Sequence, residues 1–266
     1  RVVIIPDSQL FALPFAALHD GTSHLVERHT ISVAPSIGIL IELSRAARAP
    51  DRTAAVVGDP AFAAGGALKQ LSGARAEAAE VQTALEGAGY ACATMRGDAA
   101  TKAAVVGAVS RAAIVHLATH GCPDGLFLAG DSEEPSLSTV DVYGLKMSAE
   151  LAMLSACDTF KGELRTDGVV GIARAFLAAG AGSLGVSLWK VDDGATKELM
   201  TQFYSRYVAG GGAAEAMRGA MRAMIGAGRW RPKQWAAFVI YGLPGSADSE
   251  SLGACAPTSI APAAAN

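Results

Sequence analysis

The sequence predicts an α/β fold, a mostly parallel, doubly wound sheet flanked by helices, with a β-rich section ahead of it. Three observations lead there. Short apolar runs alternate with amphipathic stretches almost throughout the 266 residues, the pattern of strands feeding crossover helices. The hydrophobic fraction is 51% and the charged fraction 18%, so a chain of this length can bury a large core. Alanine and glycine supply much of that apolar content and aromatics only 6%, which lets sheet and helices pack closely.

Residues 1–50 form the β-rich section, with strands expected at Val2–Ile5, Leu10–Leu13 and Thr30–Val33. Ser36 then caps a helix through Ile37, Leu40, Ile41 and Leu43. Residues 51–245 carry the main α/β core. Thr53–Val57 reads as its first strand, and Ser72–Leu85 as a helix presenting Ala78, Val81 and Leu85 on one face. Tyr90–Met95 follows as a strand, Thr101 caps a helix to Val109, and strands are expected at Ile114–Leu117, Leu126–Leu128 and Leu151–Leu154. The acidic stretch Asp131–Ser138 reads as a solvated loop. Asp167 is placed as the cap of a helix carrying Val170, Ala173, Phe176 and Leu177, ahead of a strand at Ser183–Leu188. Two more helices carry Leu199, Phe203 and Tyr207, and Ala213, Met217, Met221 and Met224; Ala236–Tyr241 is the last strand. Residues 246–266, rich in Ser, Ala and Pro, read as a disordered tail.

Composition also narrows the function. A net charge of -3 offers no basic surface for a phosphate backbone, so nucleic acid is not expected as a partner. No apolar run approaches the ~20 residues that cross a bilayer, and no secretory leader is evident; the expectation is a soluble, cytoplasmic protein without membrane association. Cys92, Cys122, Cys157 and Cys255 lie far apart with no CxxC pair, which argues against a disulfide framework or a zinc site. Arg1 opens directly on the strand-like Val2-Val3-Ile4-Ile5-Pro6, so the chain reads as a domain cut from something longer.

In an open parallel sheet, ligands bind beyond the carboxyl ends of the strands, where a reactive residue is therefore expected. Two such residues stand out: His120 follows Ile114–Leu117, and Cys157 follows Leu151–Leu154. A thiol with an ordinary pKa near ~8.5 is mostly protonated at neutral pH, and a neighbouring imidazole raises its reactive fraction and can protonate a leaving amine. Backbone N–H groups at Gly121 and Cys157 would hold the oxyanion. A single cysteine at a strand end is more often an inert buried thiol, and a single histidine more often a core or surface residue; the weight lies in both occurring together. His116 competes for the role of base but lies within the strand, so it reads as a core or supporting residue, while Cys122 and Cys92 read as bystanders.

The strings Ile114-Val115-His116-Leu117-Ala118-Thr119-His120-Gly121, Leu154-Ser155-Ala156-Cys157-Asp158-Thr159, Asp167-Gly168-Val169-Val170-Gly171 through Ala181, and Ser187-Leu188-Trp189-Lys190-Val191-Asp192-Asp193 closely resemble the CHAT domain. Ile5-Pro6-Asp7, Leu13-Pro14-Phe15 and Leu25–Pro35 resemble it too, and the likeness runs to about Pro244. The resemblance implies the fold of the caspase and separase peptidases, with His120 and Cys157 as the dyad of a cysteine endopeptidase. Such an enzyme cleaves peptide bonds of a protein or peptide substrate through a thioester, without metal or organic cofactor. It also implies a tetratricopeptide or other regulatory region elsewhere in the full-length chain, since none lies in these residues. The primary pocket would draw on Asp59, Asp158, Trp189, Asp192 and Asp193, whose carboxylates favour a basic side chain before the scissile bond; the plainer reading makes Asp158 a helix cap and the other three aspartates solvated turns. The rival function is a catalytically silent caspase-like module for assembly or signalling. A nucleotide-binding domain lacks support, because Gly58-Asp59-Pro60 is no glycine fingerprint.

Overall fold

The computed structural model describes residues 1–46, 51–63, 66–122, 124–130, 136–157, 164–165, 168–169, 171–191 and 193–243. The expected cap Asp167, the acidic residues 131–135 and the tail 246–266 fall outside them.

The chain opens on β1 (Val2–Ile4), makes 3-10 turns over Ser8–Ala12 and Phe15–Ala17, and continues through α1 (Leu25–Arg28), β2 (Ile31–Val33) and α2 (Ile37–Arg45). The strand expected at Leu10–Leu13 is the first of those 3-10 turns. Leu10 N–H donates to the Asp7 carbonyl at 3.0 Å and Leu13 N–H to that of Leu10 at 3.1 Å, so backbone groups that a strand would pair with a neighbour are satisfied locally. Ser36 starts α2 by accepting the Ile39 N–H on its hydroxyl at 3.2 Å.

Next come β3 (Thr53–Pro60), α3 (Ser72–Gly87), β4 (Ala91–Gly97), α4 (Lys102–Val109) and β5 (Ile114–Cys122). Thr101 caps α4 by accepting the Ala104 N–H at 3.3 Å. The hairpin partners β6 (Gly125–Leu126) and β7 (Leu137–Ser138) and the short α5 (Thr139–Tyr143) lead to β8 (Leu151–Cys157). After the small ribbon of β9 (Leu164–Arg165) and β10 (Gly168–Val169) come α6 (Ile172–Ala178), β11 (Ser183–Ser187), α7 (Asp193–Val208), α8 (Ala213–Gly226), α9 (Pro232–Trp235) and β12 (Phe238–Gly242).

The main sheet runs β1-β2-β12-β11-β8-β5-β3-β4. Strands β4, β3, β5, β8 and β11 are mutually parallel, β12 is antiparallel to β11, and the N-terminal strands β2 and β1 extend the sheet from β12. Both faces are covered. Leu40 and Leu43 of α2, Val105 and Val109 of α4 and Phe176 of α6 pack on one face with Val115, Leu117, Ala152 and Leu154. Val81 and Leu85 of α3, Leu199 and Phe203 of α7, and Met217 and Met221 of α8 pack on the other with Ile114, Leu151 and Met153. Double coverage explains why β3, β5 and β8 read as unbroken apolar runs. No helix among the described residues is long and apolar enough to cross a membrane.

Candidate active site

β5 and β8 are neighbours, paired residue for residue from Ile114 opposite Leu151 to His120 opposite Cys157. The two residues singled out in the sequence are therefore register partners at the carboxyl ends of adjacent parallel strands. The expectation that His120 lies beyond its strand needs correction. β5 continues to Cys122, because its end gains a ladder with β8 on one side and the β6 hairpin on the other.

His120 is held from the loop between β3 and α3. Its Nε2 is 2.8 Å from the Lys69 carbonyl oxygen, and the Phe62 ring is tilted against it with centroids 5.3 Å apart. A carbonyl only accepts, so Nε2 carries the hydrogen and, in the neutral ring, Nδ1 is left with the basic lone pair. The backbone is clamped as well. The Phe127 N–H donates to the His120 carbonyl at 3.0 Å, and the buried Thr119 hydroxyl donates to the Phe127 carbonyl. Since His120 and Phe127 form a bonded pair of this antiparallel ladder, Gly121 opposite Leu126 is a non-bonded one, and its N–H faces away from β6.

Asp59 does not line an open pocket. It is 3% exposed, with a left-handed φ of 50°, and both carboxylate oxygens are committed: one accepts the Leu71 N–H at 2.6 Å, the other the Arg75 Nε–H at 2.9 Å. It is also no solvated turn. It ties the end of β3 to the start of α3 and so fixes the loop that presents Lys69 to His120.

The end of β8 is anchored by a residue whose role the sequence did not single out. The Ser187 hydroxyl, buried at the end of β11, donates to the carbonyl of Ala156 at 3.0 Å, immediately before Cys157. Trp189 is half-buried, and its indole N–H donates to the Lys233 carbonyl at 2.7 Å. Asp193 is exposed at the start of α7, its carboxylate packed where a Cβ on Gly73 of α3 would sit, so the bare glycine lets the two helix starts approach. Asp158 and Asp192 lie outside the described residues. Thus His120, Cys157 and Gly121 share the ends of β5 and β8, whereas Asp59 belongs to the loop support.

His116 is fully buried, its Nδ1 3.1 Å from the Tyr204 hydroxyl of α7. Its Nε2 lies 3.2 Å from the carboxylate of Glu77 on α3, close but out of hydrogen-bond alignment. Burial pushes the Tyr204 phenol well above its usual range, so it stays protonated. Burial likewise raises the Cys92 thiol to about 11, which leaves it a poor nucleophile.

With this geometry in view, comparison with known proteins decides the family. The CHAT domain matches residues 1–243. The chain belongs to the CHAT domain family. Tetratricopeptide repeat protein 28 of Homo sapiens and that of Mus musculus are each 26% identical to it over 294 residues, covering 91% of this chain and 12% of the relative. This CHAT domain thus spans about an eighth of the length of those relatives. Among solved structures, separase from Saccharomyces cerevisiae, bound to securin, is similar with a TM-score of 0.64 and 15% identity over 91% of this chain and 15% of that one. Gingipain R from Porphyromonas gingivalis, described as an Arg-specific cysteine proteinase, is similar with a TM-score of 0.60 and 14% identity over 85% of this chain and 56% of that one. At such identities the likeness shows the fold, and the CHAT domain has the caspase-like α/β fold of these proteases.

Proposed function

We propose that this CHAT domain is a cysteine endopeptidase acting through His120 and Cys157. The observation that carries the reading is their register pairing at the ends of β5 and β8, with the Lys69 carbonyl orienting the imidazole. The Cys157 thiol gives its proton to His120 Nδ1, and the thiolate attacks the carbonyl carbon before the scissile bond. The N–H groups of Gly121 and Cys157 receive the oxyanion. Collapse of the tetrahedral intermediate transfers the imidazolium proton to the departing amine and leaves a thioester. Water, deprotonated by the same imidazole, then releases the acid and restores the thiol.

The substrate is a protein of the cytoplasm, and Asp158, Trp189, Asp192 and Asp193 form the pocket that favours a basic side chain; Asp59 is withdrawn from that role by its internal bonds. Regulation comes from a tetratricopeptide region in the full-length chain, a reading supported by the names of the curated relatives. The deciding experiment is active-site labelling with a peptidyl acyloxymethyl ketone carrying Arg or Lys, read by mass spectrometry. Stoichiometric modification of Cys157, absent in Cys157→Ala and strongly slowed in His120→Ala, is expected. Labelling of Cys157 no faster than that of Cys122 would favour a silent module used for assembly.

A further inference from the structure

Far from the dyad, at the turn joining α7 to α8, a cavity of about 310 Å³ is lined by Arg206, Arg218 and Arg222 together with Gly211, Glu215 and Gly219. The two half-buried arginines are fixed in place by neutral oxygens. Arg206 donates from one terminal nitrogen to the Gln202 carbonyl at 2.8 Å and to its side-chain oxygen at 2.6 Å. Arg218 donates from Nε to the Val26 carbonyl at 3.0 Å and from a terminal nitrogen to that of Glu27 at 2.6 Å. Arg222 is exposed, and none of the three has a carboxylate partner among the described residues. Glu215 is the one acid at the cavity, and its carboxylate is 3.5 Å from the guanidinium of Arg1.

Three consequences follow. The positive charge of this cleft is unbalanced in a protein whose net charge is -3. The end of α7 and the start of α8 meet here, so their opposed dipoles largely cancel and the side chains set the local field. The guanidiniums of Arg206 and Arg218 are also organised in advance, since each bond to a backbone carbonyl removes rotamer freedom before any ligand arrives. Gly219 is part of that arrangement: a Cβ there would lie 2.5 Å from Arg206 Cδ and 2.7 Å from its Nε. The glycine lets the Arg206 stem lie across α8.

We propose that this cleft binds a phosphate group. Guanidinium forks match phosphate oxygens bidentately. A phosphate monoester carries about -1.5 to -2 at neutral pH, which suits three cations facing one already paired acid. A carboxylate has only two oxygens and one charge, and leaves part of the cluster unanswered.

The test uses inorganic phosphate on the intact chain, with acetate and chloride at equal ionic strength as controls, read by calorimetry and by thermal midpoint. Saturable binding of phosphate alone is expected, weakened at least about tenfold in the double variant Arg206→Gln/Arg222→Gln and also in Gly219→Ala. Should the double variant fold poorly, Arg222→Gln alone, at an exposed side chain with no partner to lose among the described residues, still weakens binding about threefold. The proposal is overturned by equal responses to acetate and phosphate, by absence of saturation, or by unaltered affinity in a folded variant. Neither dyad residue takes part, so this outcome is independent of the labelling experiment.

Discussion

His116 and His120 stand four residues apart on the same face of β5, and they differ in nearly everything else. His116 is sealed between sheet and helices, with the Tyr204 hydroxyl on one nitrogen and the Glu77 carboxylate near the other. His120 has one nitrogen occupied by a backbone carbonyl and the other without a hydrogen-bond partner among the described residues, at the strand end where β8 brings up Cys157. Identity of side chain does not separate them. Distance along the strand does: a few residues inside the sheet make a histidine part of the core, and the same residue at the rim stays half-buried beside a strand end.

The largest expected effect lies at the rim. Cys157→Ala abolishes ketone labelling and peptide cleavage, and His120→Ala slows them by about 10²–10⁴-fold, the usual contribution of a positioned acid–base group. The His120→Ala variant should unfold within about 1 kcal/mol of the parent in urea, as substitutions outside the packed core do. A large loss of stability in His120→Ala with unchanged labelling of the folded fraction would invert the contrast between the two histidines.

In the core the signs reverse. His116→Ala leaves Glu77 buried without its neighbour and should cost about 3 kcal/mol in urea unfolding, while the labelling rate per folded molecule holds. The paired substitution Glu77→Leu/His116→Leu should recover much of that loss, because it removes the buried carboxylate together with the imidazole and leaves only the neutral Tyr204 hydroxyl without its His116 bond. If the double variant is worse than either single one, packing and not charge keeps this pair in place.

What could be read in the chain was what local pattern encodes. Ser36 and Thr101 announce the starts of α2 and α4, the apolar face of α3 follows from Ala78, Val81 and Leu85, and the register partners His120 and Cys157 are marked by two apolar runs leading to His and Cys. What could not be read depends on partners distant in sequence. Glu77 sits beside Ala78 in an ordinary helical pattern, and only the fold shows that its carboxylate meets a histidine on β5. Asp59 looks like a turn residue until α3 supplies Leu71 and Arg75. The reach of β5 past Leu117 likewise comes from its neighbours, and an apolar run carries no sign that β12 would lie antiparallel.

Asp59 links the two histidine environments, because it anchors the loop that orients His120 while being as buried as His116. Asp59→Ala should lower stability by about 2 kcal/mol, from the lost charged hydrogen bonds and the left-handed backbone that alanine tolerates poorly. It should also slow labelling of Cys157. Asp59→Asn, which tolerates that conformation and can still accept the Leu71 N–H, should restore most of both. Equal damage by Ala and Asn would mean that the Arg75 ion pair, not the loop anchor, is what matters.

The smallest effect belongs to a carboxylate at the surface, which shows how far burial governs the size of a polar interaction. The ammonium of Lys102, 2.7 Å away, and then the Ser138 hydroxyl hold Asp141 down at about 2. Its folded pKa lies below that of the unfolded chain, so the pair contributes stability above the unfolded carboxylate pKa of ~3.9 and loses it as pH falls toward 2. Lys102 is about half exposed, and solvent and salt screen the pair to under about 1 kcal/mol. Asp141→Asn should therefore destabilise the chain by only a few tenths of a kcal/mol at pH 7. The difference from the parent should shrink to nothing near pH 2 and weaken with added salt. A gap that widened on acidification would mean that Asp141 is stabilised in its protonated form, against the donors that surround it.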